Sequence, residues 1–218
     1  MGREDWYRHT TWTAADQDAF RSRLRRCRSQ SSQYVRIQAH YLEQAGLVAP
    51  AMQLLGEYLE KFHDDYQLSM VYTQLATCHE RLGEFEEAVS CLRHALAAER
   101  ARPNVKTNAW LEFGRIAVEH ELTDLYGDFL GLVQERSGLP GGLASEAVFP
   151  AQRYVLNACL AAIYTNKGET SRGREHAKAA LVAAAATTSG FSRHPELGLV
   201  RDTSTDLFRR VAAMGADG

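Results

Sequence analysis

Histidine, cysteine and acidic residues are the side chains in this sequence that could bind a metal or act as nucleophiles. His79-Glu80 is not followed by a second histidine four residues after the first, so the sequence lacks the HExxH zinc motif. His63-Asp64-Asp65 is interpreted as a surface turn. The four cysteines have no CxxC spacing and fall inside predicted helices, which indicates small packed residues in a reducing compartment. They are Cys27, Cys78, Cys91 and Cys159.

Phosphate-binding and hydrolase motifs are also missing from the sequence. The glycines at positions 138–142 do not form a GxxxxGK[ST] loop, Thr170-Ser-Arg-Gly follows no predicted strand, and there is no GxSxG. We therefore predict no catalytic residue, no metal ligand and no cofactor, and we do not expect an enzyme. An active site assembled from distant residues is the alternative that these motifs leave open.

An arginine-rich helix is predicted near the start of the chain. Thr13 and Asp16 have the spacing of a helix N-cap and its partner, and the helix is expected to run to about Ser29 with Phe20, Leu24 and Cys27 on one face. The favoured interpretation is a solvated face whose arginine stems cover apolar neighbours, and binding to nucleic acid or to an acidic protein surface is the alternative. The arginines are Arg21, Arg23, Arg25, Arg26 and Arg28.

Residues 69–100 show the spacing pattern of two amphipathic helices. Within residues 69–100, apolar residues recur at spacings of three and four on both sides of Gly83. Glycine tolerates left-handed dihedral angles at a helix end, and acidic residues after it favour the start of the next helix. This segment therefore predicts an antiparallel helical hairpin.

The hairpin resembles the tetratricopeptide repeat. The residues that carry the resemblance are Tyr72, Leu75, Ala76, Gly83, Phe85, Ala88, Leu92 and Ala95. Weaker copies occupy residues 32–62, 108–136 and 151–186. The resemblance implies an all-α fold, a right-handed α-solenoid of about four hairpins with an N-terminal helix and a C-terminal capping helix.

The whole chain, residues 1–218, is predicted to form one such domain. Residues 1–31 would form an aromatic segment and the arginine-rich helix, residues 32–186 the repeats, and residues 187–218 the cap. The third copy departs from the pattern in its second half, where two helices with irregular packing are expected. Residues 137–150 are predicted to form a loop that is either functional or mobile.

The resemblance also implies a binding surface, because the first helices of such hairpins line a concave face that holds peptides. The residues matched to that face are Arg36, His40, Glu43, Thr73, Gln74, Thr77, Arg81, Glu112, Arg115 and Asn166. Related clamps for a chaperone tail use Lys and Asn where Thr73 and Thr77 stand here. The expected ligand is therefore a protein or peptide other than a chaperone tail.

The sequence places few limits on the partner beyond this. No run of about eighteen apolar residues is present, and the N-terminus lacks the apolar core of a signal peptide, so we expect a cytoplasmic protein, of bacterial type, without a membrane partner. The expected role is that of an adaptor, a regulator or a toxin-neutralising partner. Nucleic acid is the less favoured partner, and a homodimer stays open.

Overall fold

The computed structural model describes residues 5–62 and 66–216, and within these ranges the chain is helical without strands, which confirms the all-α prediction. Residues 1–4, the turn predicted at 63–65 and the last two residues of the predicted cap lie outside the described ranges. Two short 3-10 helices occur at Asp5–Tyr7 and Thr123–Leu125. The α-helices are α1 (Ala14–Leu24), α2 (Ser31–Gln44), α3 (Val48–Lys61), α4 (Leu68–Arg81), α5 (Phe85–Ala101), α6 (Ala109–Glu119), α7 (Tyr126–Ser137), α8 (Gly142–Glu146), α9 (Pro150–Asn166), α10 (Thr170–Ala184) and α11 (Asp206–Ala216).

The helices belong to two compact units, residues 1–109 and residues 110–218. Helical repeats contact mainly their neighbours, so a repeat array can divide in this way as readily as a pair of domains. The assignment of residues 1–218 to one domain therefore stays a prediction.

The first unit contains two helical hairpins, α2 with α3 and α4 with α5, and α3 and α4 also pack together. Each hairpin buries an apolar stripe that the helical spacing predicts, including Leu42 on α2, Leu55 and Tyr58 on α3, and Val71 on α4. The core is thus built from facing stripes of neighbouring helices. It leaves the polar faces of α2 and α4 available for a site.

Aromatic residues near the N-terminus pack onto this core. Trp6 lies 5.8 Å from Phe20 and 5.0 Å from Tyr34, measured between ring centroids. The predicted cap of α1 is also present, because the Asp16 amide donates to the Thr13 hydroxyl and the Asp16 carboxylate accepts from the Thr13 amide.

The first helix is shorter than predicted, since α1 ends at Leu24 and not near Ser29. The amides of Arg26 and Cys27 bond to carbonyls three residues back, which tightens the chain into a turn. Gln30 then takes a left-handed conformation, with φ of 63°, directly before α2. The chain reverses there, so the last three arginines lie in the turn and not on the helix.

The second unit contains two further hairpins, and a glycine allows close helix approach in each. A Cβ atom on Gly114 of α6 would lie 2.3 Å from the Phe129 ring of α7. A Cβ atom on Gly173 of α10 would lie 2.3 Å from Thr165 Oγ1 and 3.1 Å from the Ala161 carbonyl oxygen of α9. Helix α11 packs against both α9 and α10, so it covers the last hairpin.

The turn inside each hairpin has the same hydrogen-bonding pattern. In each turn, a residue with positive φ directly precedes the residue whose amide closes the turn. These residues are Gly46 (80°), Gly83 (77°) and Gly168 (78°), and Glu121 (54°) in the third hairpin. Each turn closes a six-residue Schellman motif by an amide-to-carbonyl bond. The bonds run from Leu47 to Leu42 (2.8 Å), Glu84 to His79 (3.0 Å), Leu122 to Ala117 (2.8 Å) and Glu169 to Tyr164 (2.8 Å). The third copy therefore keeps the turn geometry without the glycine.

The predicted loop at residues 137–150 is only partly irregular, because it contains the short helix α8. Arg136 of α7 and Glu146 of α8 form a buried ion pair, with Nη1 3.0 Å from Oε2. Ala147, directly after α8, is buried as well. The prediction of a plain loop missed this helix because an ion pair distant in sequence, not local helix propensity, holds it in place.

Candidate functional site

Helices α2 and α4, the first helices of the two hairpins in the first unit, border an open cleft of about 370 Å³. The chain between α5 and α6 contributes one further residue, Thr107. Six of the ten residues predicted for a binding face line this cleft. The full lining is Arg36, His40, Glu43, Gln44, Met70, Thr73, Gln74, Thr77 and Thr107.

Helical spacing explains why these side chains meet. Arg36, His40 and Glu43 stand four and three residues apart, so they follow one stripe of α2. Met70, Thr73 and Thr77 follow the equivalent stripe of α4. Seven residues of helix extend about 10.5 Å, so each stripe is as long as about three residues of an extended peptide.

Two polar bonds join α2 to the α4 side near the ends of these stripes. At one end, Arg36 Nε donates to Gln67 Oε1 over 2.8 Å. At the other end, Arg81 Nη1 donates to the Glu43 carbonyl oxygen over 2.9 Å, and Arg81 Nη2 lies 2.6 Å from Glu43 Oε1 as an ionic contact. Arg81 therefore holds a wall of the cleft in place without lining it.

The threonine hydroxyl groups in the cleft already donate hydrogen bonds within the protein. Thr73 Oγ1 donates to the Ser69 carbonyl oxygen over 2.7 Å, and Thr77 Oγ1 donates to the Thr73 carbonyl oxygen over 3.2 Å. Thr107 Oγ1 donates to Glu99 over 2.5 Å. Since a hydroxyl has one proton, the oxygens of Thr73 and Thr77 offer lone pairs to a ligand. Thr107 Oγ1 already accepts from the Ala109 amide over 3.2 Å.

Gln74 adds a further hydrogen-bond acceptor. Its Oε1 atom is buried and finds no hydrogen-bond partner among the residues that the structure describes. Buried polar atoms without partners are rare because losing hydration without a replacement bond costs free energy, about 1–3 kcal/mol. The α4 side of the cleft therefore favours a ligand that presents N–H donors.

Arg36 supplies positive charge at one end of the cleft. Its guanidinium is half-buried, and burial lowers the pKa of Arg36 below its usual range, although a guanidinium stays charged at neutral pH. Within residues 5–62 and 66–216, Gln67 is its hydrogen-bond partner, and no carboxylate forms an ion pair with it. Arg36 can therefore donate to an anionic group of a ligand.

The remaining predicted residues do not join this cleft. On α6 in the second unit, Arg115 pairs with Glu112 at 2.8 Å and with Glu119 at 2.6 Å, so its charge is already balanced. Asn166 is exposed at the end of α9. The surroundings of these three residues are therefore described within the second unit alone.

Three lining residues were missed from the sequence. Met70 precedes Thr73 by three residues, so the helical period alone could have found it. Gln44 lies beside Glu43, and its side chain donates to Glu43 Oε2 over 2.9 Å. Thr107 lies outside any helix of a hairpin, and no sequence signal indicates that it returns to α4.

The cysteines show no sign of nucleophilic chemistry. Burial raises the pKa of Cys78 to about 12 and also raises the pKa values of Cys91 and Cys159. All four cysteines are free thiols. Because the thiolate is the reactive form, these three residues act as packing groups at neutral pH.

A second cleft, of about 270 Å³, lies in the second unit beside α11 and includes Glu119, Thr205 and Arg210. Its charged groups already have partners, because Glu119 binds Arg115 and Arg210 Nη1 donates to the Val118 carbonyl oxygen over 3.3 Å. The cleft between α2 and α4 is the stronger candidate, since it retains unused acceptors and an arginine without a carboxylate partner.

The fold and the cleft define the class of protein: an all-α protein made of helical hairpins, with a polar cleft between successive first helices. Comparison with known protein families, curated proteins and solved structures found no match to this chain. In the part of the chain that the structure describes, no helix has the length and apolarity needed to cross a lipid bilayer.

Proposed function

We propose that this chain binds an extended segment of another protein in the cleft between α2 and α4, as an adaptor, regulator or inhibitory partner. The observation that carries the proposal is the meeting of six independently predicted residues from two helices in one cleft. The cleft contains hydrogen-bonding groups but no cysteine, and its lining suits recognition better than covalent catalysis.

The expected ligand has two chemical features. It presents backbone amide donors to the acceptors of Thr73, Gln74 and Thr77, which is a feature of extended peptides. It also carries one acidic group at the end of the cleft where Arg36 lies. Gln67 orients the guanidinium through Nε, so the terminal nitrogens can donate to a carboxylate.

We further propose that each hairpin is a tetratricopeptide-like repeat of a right-handed α-solenoid, as the sequence resemblance implies. The recurrence of one turn geometry in all four hairpins supports this proposal. In such repeats the first helices line the binding face, which agrees with the location of the cleft on α2 and α4.

The experiment is a selection of random heptapeptides on phage against the wild-type protein, with counter-selection against a variant whose cleft is filled, Thr77→Phe. The proposal predicts peptides that bind the wild type and not the filled variant. Circular dichroism and the melting temperature of Thr77→Phe would verify that it is folded. Enrichment of the same peptides on both proteins would refute the cleft as the binding site.

Arg36→Ala then tests the chemistry of recognition. A charge-assisted hydrogen bond contributes about 1.5–3 kcal/mol, so we expect the Kd of a selected acidic peptide to rise about 10- to 150-fold. The same peptide with Asn or Gln in place of its acidic residue should bind both proteins with similar affinity. An equal loss for the acidic and neutral peptides would contradict charge recognition by Arg36.

A further inference from the structure

Four arginines occupy the end of α1 and the turn that follows it. Arg23, Arg25, Arg26 and Arg28 are all exposed, and they fall within six consecutive residues. Arg23 lies in the last turn of α1, and the other three lie in the turn before α2. We refer to these four residues as the arginine patch.

Acidic residues do not neutralise this patch. The fifth arginine of the segment, Arg21, is excluded from it because its Nη1 and Nη2 atoms bind the two carboxylate oxygens of Glu57 at 2.8 and 2.6 Å. Within residues 5–62 and 66–216, none of the four patch arginines forms an ion pair. The acids of α1, Asp16 and Asp18, lie in its first half, and Asp16 is bonded to Thr13.

The patch also lacks the apolar anchors typical of a protein interface. Phe20 is fully buried, and Leu24 and Cys27 are partly buried. None of the described residues from 14 to 34 is a large apolar side chain in an exposed position. Protein interfaces have an apolar core from which charged residues are depleted, whereas binding to nucleic acid relies on arginine contacts with phosphates.

We propose that the arginine patch binds the phosphate backbone of duplex nucleic acid without sequence preference. This surface is separate in chemistry and location from the cleft between α2 and α4, and it would allow the chain to bind nucleic acid and a peptide segment through different residues. Four guanidinium groups can contact up to four phosphates, which is enough for weak binding that depends on salt.

Counterion release gives the proposal a quantitative form. For B-DNA, the logarithm of the association constant falls with the logarithm of the salt concentration with a slope of about −0.9 for each phosphate contacted. Four contacts predict a slope of about −3.6. The expected Kd lies in the range of non-specific binding, about 1–100 μM at physiological salt, and tightens at lower salt.

The experiment measures fluorescence anisotropy of a labelled 20-base-pair DNA duplex titrated with the full chain at several NaCl concentrations between 20 and 150 mM. Arg25→Ala/Arg26→Ala should lower the magnitude of the slope by about 1.8, because two phosphate contacts are lost. The matched control is Arg193→Ala/Arg201→Ala, which removes two exposed arginines from the second unit and the same net charge. This control should keep the slope of the wild type.

Competition with polyglutamate distinguishes nucleic acid from an acidic protein partner. The proposal predicts that polyglutamate displaces the duplex poorly at equal charge concentration. Absence of binding at 20 mM NaCl, equal slopes for the patch variant and the wild type, or equally effective competition by polyglutamate would each overturn it. Melting temperatures within about 2 °C of the wild type would verify that both double variants are folded.

Discussion

Replacing Glu121 by glycine should stabilise the protein, although glycine usually destabilises the interior of a helix or strand into which it is introduced. Glu121 adopts φ of 54°, and a left-handed conformation costs a residue with a Cβ atom about 1–2 kcal/mol. Glycine loses more conformational freedom on folding, which offsets about 0.5–1 kcal/mol of this gain. The exposed Glu121 carboxylate lies 4.0 Å from Arg210, and this contact is worth a few tenths of a kcal/mol.

The expected net gain is about 0.5 kcal/mol. For a chain of this size that corresponds to a rise of about 1–2 °C in melting temperature, measured by circular dichroism at 222 nm. Glu121→Ala is the control, since it removes the carboxylate but keeps the Cβ atom. It should leave the melting temperature unchanged or slightly lower.

Gly83→Ala provides the reciprocal test in the second hairpin. Gly83 has φ of 77°, and no atom lies within 4 Å of the Cβ that alanine would add, so the cost comes from the backbone alone. We expect a loss of about 1 kcal/mol. If Glu121→Gly lowered the melting temperature, or if Gly83→Ala raised it, the idea that both turns share one strained geometry would be refuted.

Three further predictions follow from packing and burial. Arg81→Ala should cost about 1–3 kcal/mol in the free energy of unfolding, because it leaves the buried Glu43 carboxylate without the arginine it pairs with. The double variant with Glu43→Ala should lose less stability than the sum of the two single variants. Urea denaturation of the three variants measures these losses, and additive losses would contradict the pairing. Gly173→Ala should cost about 1–3 kcal/mol by overpacking, despite the better helix propensity of alanine, and an unchanged urea midpoint would contradict the close approach. Iodoacetamide at pH 8 should label the partly exposed Cys27 in the native protein, whereas Cys78, with a pKa of about 12, should react only after unfolding. Mass spectrometry after brief labelling identifies the modified cysteine. Modification of Cys78 before Cys27 would contradict this prediction.

Much of the helical framework could be predicted from the sequence, because local signals specify it. The apolar spacing on either side of Gly46, Gly83 and Gly168 predicts the helices of three hairpins, and these glycines predict the turns between them. The third turn could not be recognised, since Glu121 has no intrinsic preference for positive φ. The short helix α8 was missed for a similar reason, because it depends on the buried pair of Arg136 and Glu146.

The candidate site was predictable where it follows a helical stripe and not where it depends on tertiary structure. Arg36 and Thr77 could be assigned to one face because the tetratricopeptide resemblance matches both to the first helices of its hairpins. The sequence does not show that Arg81 pairs with Glu43 or that Thr107 contacts Thr73 of α4, because both contacts depend on how the chain packs.

The central claim, that a peptide binds between α2 and α4, is tested most directly by an NMR titration. A peptide selected on the wild-type protein would be added to the ¹⁵N-labelled chain, and amide chemical shifts would be followed in heteronuclear spectra. The account predicts that the largest shifts fall within residues 36–44 and 70–77 and at Thr107, and that Thr77→Phe abolishes them. Large shifts confined to other residues, or an unchanged response of the filled variant, would contradict it.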